Sequence, residues 1–182
     1  MLREYKMTHY NPEDFKHLNT ERKSNTSQNI RDLWQTPKPL FNKLNDEFNF
    51  TCDVASSELN KLCERYIDQE ADALNCLWWG DVNWCNPPYS DIGPWIDKAA
   101  EQHKKGNTIV MLVPADTSVA WFKRAYNSCN EVRFISGRLS FINASSQLPV
   151  NGNNKGSVLL IWLANVPSTN FNVKLIDRSE FL

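Results

Sequence analysis

The sequence predicts an α/β domain built around an open, mostly parallel sheet. Short apolar runs alternate with segments of helical periodicity, as in domains that place helices over a central sheet. The run from Thr108 to Val113 is continuously apolar and rich in β-branched residues, which is typical of a strand covered on both faces. Asp53 and Asn86 directly follow two other runs, and ligands of such sheets bind beyond the carboxyl ends of the strands.

The remaining elements are predicted in order along the chain. Apolar residues at helical spacing indicate a helix over 38–48, for which Thr36 is a suitable N-cap and Pro37 a suitable first-turn residue. Further elements are expected as strand 50–55, a helix after Ser57, strands 65–67 and 82–85, helix 92–103, strand 108–113, helix 119–126, and strands 131–135, 157–163 and 171–176. The last two strands are predicted to form an antiparallel hairpin at the edge of the sheet.

Composition indicates one domain with a polar extension. The 182 residues are 41% hydrophobic and 12% aromatic, which is sufficient for a substantial core. Residues 1–30 are polar and mixed in charge, so we expect a loosely held N-terminal extension followed by a single domain over 31–182. The chain has no apolar run of bilayer length and no signal-peptide core, so we expect no membrane association and a cytoplasmic location.

The cysteines and the charges narrow the class of protein further. Five cysteines without a CxxC pair, and three histidines that complete no ligand set, predict reduced thiols and no metal site. Residues 1–94 carry ten basic and fifteen acidic side chains, whereas residues 95–182 carry ten and six. A nucleic-acid face is therefore expected in the second half, where the candidate cations are Lys104, Lys105, Arg133, Arg138 and Lys155.

The stretch 82–90 contains the strongest chemical signal. A short apolar run ends at Asn86, Pro87, Pro88 and Tyr89, which predicts a stiff turn because each proline fixes its own φ and Pro87 restricts Asn86. The Asn86 side chain and the Pro87 backbone carbonyl offer two acceptors, and Tyr89 offers a flat face for stacking. This combination suits an exocyclic amine on a conjugated ring; the alternative is a proline-punctuated loop with no ligand.

Six short motifs occur in one order over residues 32–163: Trp34-Gln35-Thr36-Pro37, Asp53-Val54-Ala55, Asp72-Ala73-Leu74, Asn86-Pro87-Pro88-Tyr89, Leu112-Val113-Pro114-Ala115 and Gly137-Arg138. Together they resemble the phage DNA N-6-adenine methyltransferases, a Dam-like family. The resemblance implies a Rossmann-like class I methyltransferase fold that uses S-adenosyl-L-methionine to methylate adenine N6 in DNA. For a phage enzyme it also implies action in the bacterial host cytoplasm, with protection from host restriction as an expected purpose.

The resemblance also assigns roles to residues. Asn86, Pro87, Pro88 and Tyr89 match the catalytic loop of the family. The cofactor is expected to contact the segments that match its binding motifs, which are Trp34, Gln35, Thr36 and Pro37, then Asp53, Val54 and Ala55, then Asp72 and Ala73, together with Asn86. Asp72 matches the acid that accepts a hydrogen bond from the cofactor's adenine amine in related enzymes.

The chain departs from the usual pattern in two ways. The glycine-rich turn after the first strand is absent, since Asp53 is followed by Val-Ala-Ser-Ser. Asp72 follows Asp53 by only 19 positions, which predicts an abbreviated early half of the sheet. The acid that binds the ribose is therefore left open between Glu58 and Asp68.

The expected partner is double-stranded DNA with a flipped adenine, stacked on Tyr89. Further DNA contacts are expected from Ser90, which follows the catalytic loop, and from Arg138 and Lys155 on the polar segment 137–156. Two alternatives stay open: the same chemistry on RNA guanine N2, protein glutamine or cytosine N4, and a catalytically silent DNA-binding or anti-restriction module. The sequence leaves the DNA recognition site, the strand preference and the oligomeric state undetermined.

Overall fold

The computed structural model describes residues 32–150 and 155–181, so the predicted extension over 1–30 lies outside the described residues. Seven strands form one sheet: β1 Cys52–Asp53, β2 Arg65–Tyr66, β3 Val82–Cys85, β4 Thr108–Pro114, β5 Glu131–Ser136, β6 Ser157–Trp162 and β7 Asn172–Asp177. Their order across the sheet is β2-β1-β3-β4-β6-β5-β7. Three α-helices, α1 Lys38–Phe48, α2 Gly93–Lys104 and α3 Ala120–Tyr126, and a 3₁₀-helix, Arg178–Phe181, complete the described elements.

The sheet is mostly parallel, which confirms the predicted α/β class and its Rossmann-like arrangement. Only β6 runs antiparallel to its neighbours, β4 and β5, while β7 pairs in parallel with β5. The antiparallel strand therefore lies inside the sheet and not in the predicted edge hairpin, since β6 and β7 are not neighbours. The physical reason is burial: β6 is buried at all six positions, whereas β7 is exposed at five of six.

The core lies on both faces of the central strands. Alternate side chains of β4 point to opposite sides, with Ile109 and Met111 in one apolar cluster and Val110 and Leu112 in the other. Helices α2 and α3 cover the first face, and α1 with the 3₁₀-helix covers the second. Burial of each such side chain contributes roughly 1.5–3 kcal/mol.

The sequence predicted Thr36 as the N-cap of helix α1 and Pro37 as a residue of its first turn, but the helix begins one residue later. The N-cap position is Pro37, with extended backbone and no side-chain cap, and Pro39 occupies the first turn. Thr36 is instead buried on the wall of a cavity described below. The helix ends at Asn49, whose left-handed backbone directs its N–H to the Asn45 carbonyl at 2.8 Å.

The early half of the sheet is abbreviated, as the spacing from Asp53 to Asp72 indicated. Strands β1 and β2 have two residues each, and turns replace the helix that was predicted after Ser57. Asn60 accepts hydrogen bonds from the Ser57 N–H at 2.6 Å and from the Ser57 hydroxyl at 3.0 Å, which closes a tight polar turn.

Within the described part of the chain, no helix has the length and apolar character to cross a membrane.

Arg133 corrects one of the sequence predictions. It was a candidate for nucleic-acid contact, but its side chain is buried in β5 and holds the carboxylate of Glu47 from α1 through two hydrogen bonds of 2.6 Å. Its Nε also donates to Glu131 Oε1 at 2.6 Å. Arg133 therefore connects α1 to the sheet and is not available to a polyanion.

Candidate active site

A cavity of about 480 Å³ opens at the carboxyl ends of β1 and β3. Its volume lies within the range that small-molecule ligands occupy in proteins. The lining residues come from four segments of the chain: Asp32 to Thr36; Asp53, Ala55, Ser56, Ser57, Leu59, Asn60 and Leu62; Trp84, Asn86 and Pro88; and Ala144 with Gln147. The cavity thus lies where the alternation of strands and helices predicted a ligand.

One wall of the cavity is the strap, which we define as residues 32–36. Gln35 pairs with Ile142 through two backbone hydrogen bonds of 2.8 and 3.0 Å. The Trp34 ring stacks on Phe141, with ring centroids 5.9 Å apart. These contacts hold the strap against the segment that follows β5, and so place it over the end of β3.

Asn86 is the first residue after β3 and is one of the residues that line the cavity. Its Nδ2 donates a hydrogen bond to the Trp34 carbonyl at 3.3 Å. Its Oδ1 is buried and accepts no hydrogen bond from the described part of the protein. A buried acceptor without a donor costs about 1–3 kcal/mol, so this atom is suited to a ligand N–H.

The rest of the predicted catalytic loop is packed tightly. Pro88 lines the cavity, whereas Pro87 is buried and does not line it. The Tyr89 ring meets Phe141 edge-on at 6.0 Å, and its hydroxyl donates to the Leu112 carbonyl at 3.4 Å. Burial holds the pKa of Tyr89 above its usual range, so this hydroxyl stays neutral, and Tyr89 is not among the residues that line the cavity.

Asp53 brings a carboxyl group to the cavity at the end of β1. Its oxygens accept hydrogen bonds from the Leu62 N–H at 3.1 Å and from the Ala55 N–H at 3.4 Å. Burial raises the pKa of Asp53 to about 6, and these two N–H groups offset part of the rise. Of its neighbours in the predicted motif, Ala55 lines the cavity, whereas Val54 is fully buried in the core.

The strap supplies a second unsatisfied polar atom. Trp34 Nε1 is buried and finds no acceptor among the described residues. Gln35 and Thr36 also line the cavity, but Pro37 does not. An indole N–H of this kind is suited to a ligand acceptor such as a carboxylate.

Asp72 and Ala73 are not brought to the cavity. Asp72 is exposed, has a left-handed backbone with φ of 51°, and accepts hydrogen bonds from the Leu74 N–H and from Asn75 Nδ2. Ala73 is buried, and its carbonyl accepts the Trp78 indole N–H at 2.8 Å. Neither candidate for the ribose acid, Glu58 or Asp68, lines the cavity.

The predicted DNA contacts lie farther along the same edge of the sheet. Arg138 is exposed just after β5, and Lys155 is exposed just before β6. Lys155 Nζ lies 2.8 Å from Asp116 Oδ2. Hydrogen bonds from Lys155 and Ser118 lower the pKa of Asp116 to about 2. Ser90 is exposed, and its backbone N–H donates to Asp32 Oδ1 at 2.9 Å.

Sequence reasoning missed several residues of the cavity. Asp32, Asn60, Ala144 and Gln147 belong to turns or to the strap, and no periodic pattern marks them. Of these four residues, Gln147 alone has an unusual backbone, which is left-handed with φ of 55°. This feature is visible in the structure and not in the sequence.

Comparison with known proteins identifies a matching family and similar chains. A family model described as DNA N-6-adenine-methyltransferase (Dam) matches residues 23–180. The DNA N-6-adenine-methyltransferase of Escherichia phage T1 is 40% identical over 158 residues, which cover 76% of this chain and 65% of that protein, just under two thirds. The DNA N-6-adenine-methyltransferase of Haemophilus phage HP1 is 34% identical over 162 residues, which cover 87% of this chain and 94% of that protein.

Proposed function

The chain belongs to the DNA N-6-adenine-methyltransferase (Dam) family, and from this premise we propose that it transfers a methyl group from S-adenosyl-L-methionine to the N6 amine of adenine in DNA. The observation that supports this proposal best is the buried, unpaired Oδ1 of Asn86, a residue that lines the cavity. An acceptor in that position is suited to an amine hydrogen. Because both named relatives come from bacteriophages, we place the reaction in the cytoplasm of a bacterial host.

The cavity fits the cofactor in charge and in hydrogen bonding. S-adenosyl-L-methionine, when bound, supplies an electrophilic methyl group on a positively charged sulfur. Asp53 offers a carboxylate to the cationic groups of the cofactor, and Trp34 Nε1 offers an N–H to its carboxylate. The residues of the cavity wall that are proposed to bind the cofactor are Trp34, Gln35, Thr36, Asp53 and Ala55. Asn86 is proposed to lie next to the cofactor but to act on the target amine.

The catalytic task of the loop is to orient the target amine. The lone pair of adenine N6 is delocalised into the ring, so N6 is a poor nucleophile. Asn86 Oδ1 accepts one of its hydrogens. The Pro87 carbonyl accepts the other, which requires the base to reach past the cavity wall, since Pro87 itself does not line the cavity. Both bonds favour a pyramidal nitrogen with a localised lone pair. This interaction strengthens as N6 becomes positive, so it lowers the barrier more than it improves ground-state binding. The rigid Pro87-Pro88 backbone keeps both acceptors in place.

DNA has to present the adenine outside the helix, because Asn86 is recessed at the edge of the sheet and a stacked base cannot reach it. A stacking role for Tyr89 requires its ring to move toward the cavity, since it now packs against Phe141. Arg138 and Lys155 are proposed to contact the phosphate backbone, and Ser90 to contact the flipped nucleotide.

The test is transfer of labelled methyl from S-adenosyl-L-methionine to unmethylated DNA, followed by nucleoside analysis. Wild-type protein should produce N6-methyl-2′-deoxyadenosine, and Asn86→Ala should lower the rate about 10²–10³-fold, by analogy with removal of one hydrogen-bonding group at a transition state. Cofactor affinity should change by less than about threefold, and the exposed Asn42→Ala on α1 should behave as wild type.

Three results would contradict the proposal, each in a different way. Equal losses of rate and cofactor affinity in Asn86→Ala would mean that this residue binds the cofactor and does not orient the amine. Label that appears in RNA or protein, and not in DNA, would keep the chemistry and change the acceptor. Absence of cofactor binding would favour a silent DNA-binding module.

A further inference from the structure

We propose that Asp32 is a positioning residue that holds the catalytic loop 86–90 in register and thereby fixes the orientation of the Asn86 amide. This inference rests on the proposed function and adds to it a residue outside every motif identified in the sequence. It starts from two hydrogen bonds that join the strap to the two ends of the loop.

The first bond joins the strap to the start of the loop, from Asn86 Nδ2 to the Trp34 carbonyl at 3.3 Å. The second joins it to the end of the loop, from the Ser90 N–H to Asp32 Oδ1 at 2.9 Å. Pro87 and Pro88 have no N–H, so the loop has few backbone donors with which to fix itself. The strap therefore supplies acceptors for both ends of a segment that cannot bond to itself.

The orientation of the amide determines whether Asn86 can act. Rotation by 180° about its last torsion would exchange Oδ1 and Nδ2, and would present donors to an amine that is itself a donor. The Trp34 carbonyl accepts only from Nδ2, so it selects the orientation in which Oδ1 remains available. This selection works only while the strap and the loop keep their relative positions.

Contacts on two sides fix the position of the strap. On one side, Gln35 pairs with Ile142 through the backbone, which no side-chain substitution removes directly, and the Trp34 ring stacks on the neighbouring Phe141. On the other side, Asp32 holds Ser90 through its side chain, and this contact can be removed alone. Loss of Asp32 would leave the Trp34 carbonyl attached at one side only, so that the Asn86 amide samples both orientations.

The role needs an acceptor at position 32 and does not need a charge. Asn at this position keeps an oxygen that can accept the Ser90 N–H, whereas Ala removes it. We expect Asp32→Ala to lower kcat for DNA methylation about tenfold to a hundredfold, and Asp32→Asn to restore it to within about threefold of wild type. Cofactor affinity should stay within about threefold in both variants. Asp91→Ala, an exposed acid next to Ser90, is the matched control and should be unchanged.

Hydrogen exchange at the Ser90 amide, measured by NMR, tests the inference independently of activity. The Ser90 N–H should exchange at least about tenfold faster in Asp32→Ala than in wild type, and at the wild-type rate in Asp32→Asn. If wild-type protein methylates no adenine, the proposed function fails while this measurement still decides the contact. Unchanged kcat or unchanged Ser90 exchange in Asp32→Ala would overturn the inference, as would an equal loss of kcat in Asp32→Asn.

Discussion

The two halves of the sheet differ in how they are held together. In the long half, β4, β5 and β6 contribute six or seven residues each, and the apolar residues of β6 are fully buried. In the short half, β1 and β2 contribute two residues each and are followed by turns in which side chains accept backbone N–H groups. The comparison indicates that the long half maintains the fold, while the short half leaves space for the cavity.

The two halves also differ in charge. Residues 53–72, which follow β1, include six acidic and two basic side chains, whereas residues 138–155 include two basic and no acidic ones. A cationic cofactor is therefore favoured on the side of the short half, and a polyanion on the side of the long half. This polarity supports the proposed binding of the cofactor beside Asp53 and of the DNA backbone by Arg138 and Lys155.

The largest effect should come from the core of the long half. Leu160 is fully buried in β6, so Leu160→Ala should lower the free energy of unfolding by about 3–4 kcal/mol through lost burial and a cavity. Leu59 lies on the cavity rim of the short half and is 95% exposed, so Leu59→Ala should change the free energy of unfolding by less than about 0.5 kcal/mol. Urea denaturation measures both, and similar losses would remove the contrast between the halves.

Asp53 should make the short half dependent on pH. Its pKa in the folded protein is about 6, above its ordinary value of 3.8, so the folded state binds this proton more tightly than the unfolded state does. The contribution of this group to stability is therefore full below pH about 4 and is lost as pH rises through 6, by on the order of 2–3 kcal/mol. Urea denaturation of Asp53→Asn should show a smaller decrease between pH 4.5 and 7.5 than wild type.

The affinity for the cofactor should also depend on pH through Asp53, but in the opposite direction from stability. A cationic ligand favours the ionised carboxylate, so its affinity should fall as pH drops below about 6 in wild type, but not in Asp53→Asn. The exposed Asp46→Asn on α1 is the control for both measurements. A decrease of the same size in Asp53→Asn would assign the pH dependence to another group.

The smallest effect should come from the basic side. Lys155→Gln should weaken DNA binding a few-fold and should reduce the slope of log K against log salt concentration by about 1, the contribution of one phosphate contact. Lys105→Gln is the matched control, because Lys105 precedes β4 and lies at the opposite edge of the sheet. An unchanged slope in Lys155→Gln, or equal changes in both variants, would contradict a phosphate contact on this side.

The long half could be predicted from the sequence because its signals are local. The apolar run of β4 and the helical spacing of α2 and α3 lie within one residue or two of the observed bounds. The position of β6 could not be read in this way, because strand order depends on which faces are already covered. The helix expected after Ser57 was wrong because Asp53 and Asn60 offer the backbone N–H groups competing acceptors.

The residues of the candidate site also differ in whether a local sequence signal marks them. Asn86 and its prolines could be identified because each residue type has a distinct physical consequence at that position. The Asp32–Ser90 contact joins residues 58 positions apart, and a lone Asp before Leu33 carries no local signal of it. Asp72 shows the converse: it belongs to a recognisable motif, yet it caps its own turn away from the cavity.

The internal position of β6 has a consequence for the order in which the protein folds. Strands β4 and β5 are complete well before β6 along the chain, but they are not neighbours, and each hydrogen-bonds to β6. Until residues 157–162 are available, both strands keep open apolar edges of the kind that pair with other chains. We therefore expect folding to be limited by docking of β6, a contact between distant parts of the chain, and nascent chains that end before Ser157 to be prone to aggregation.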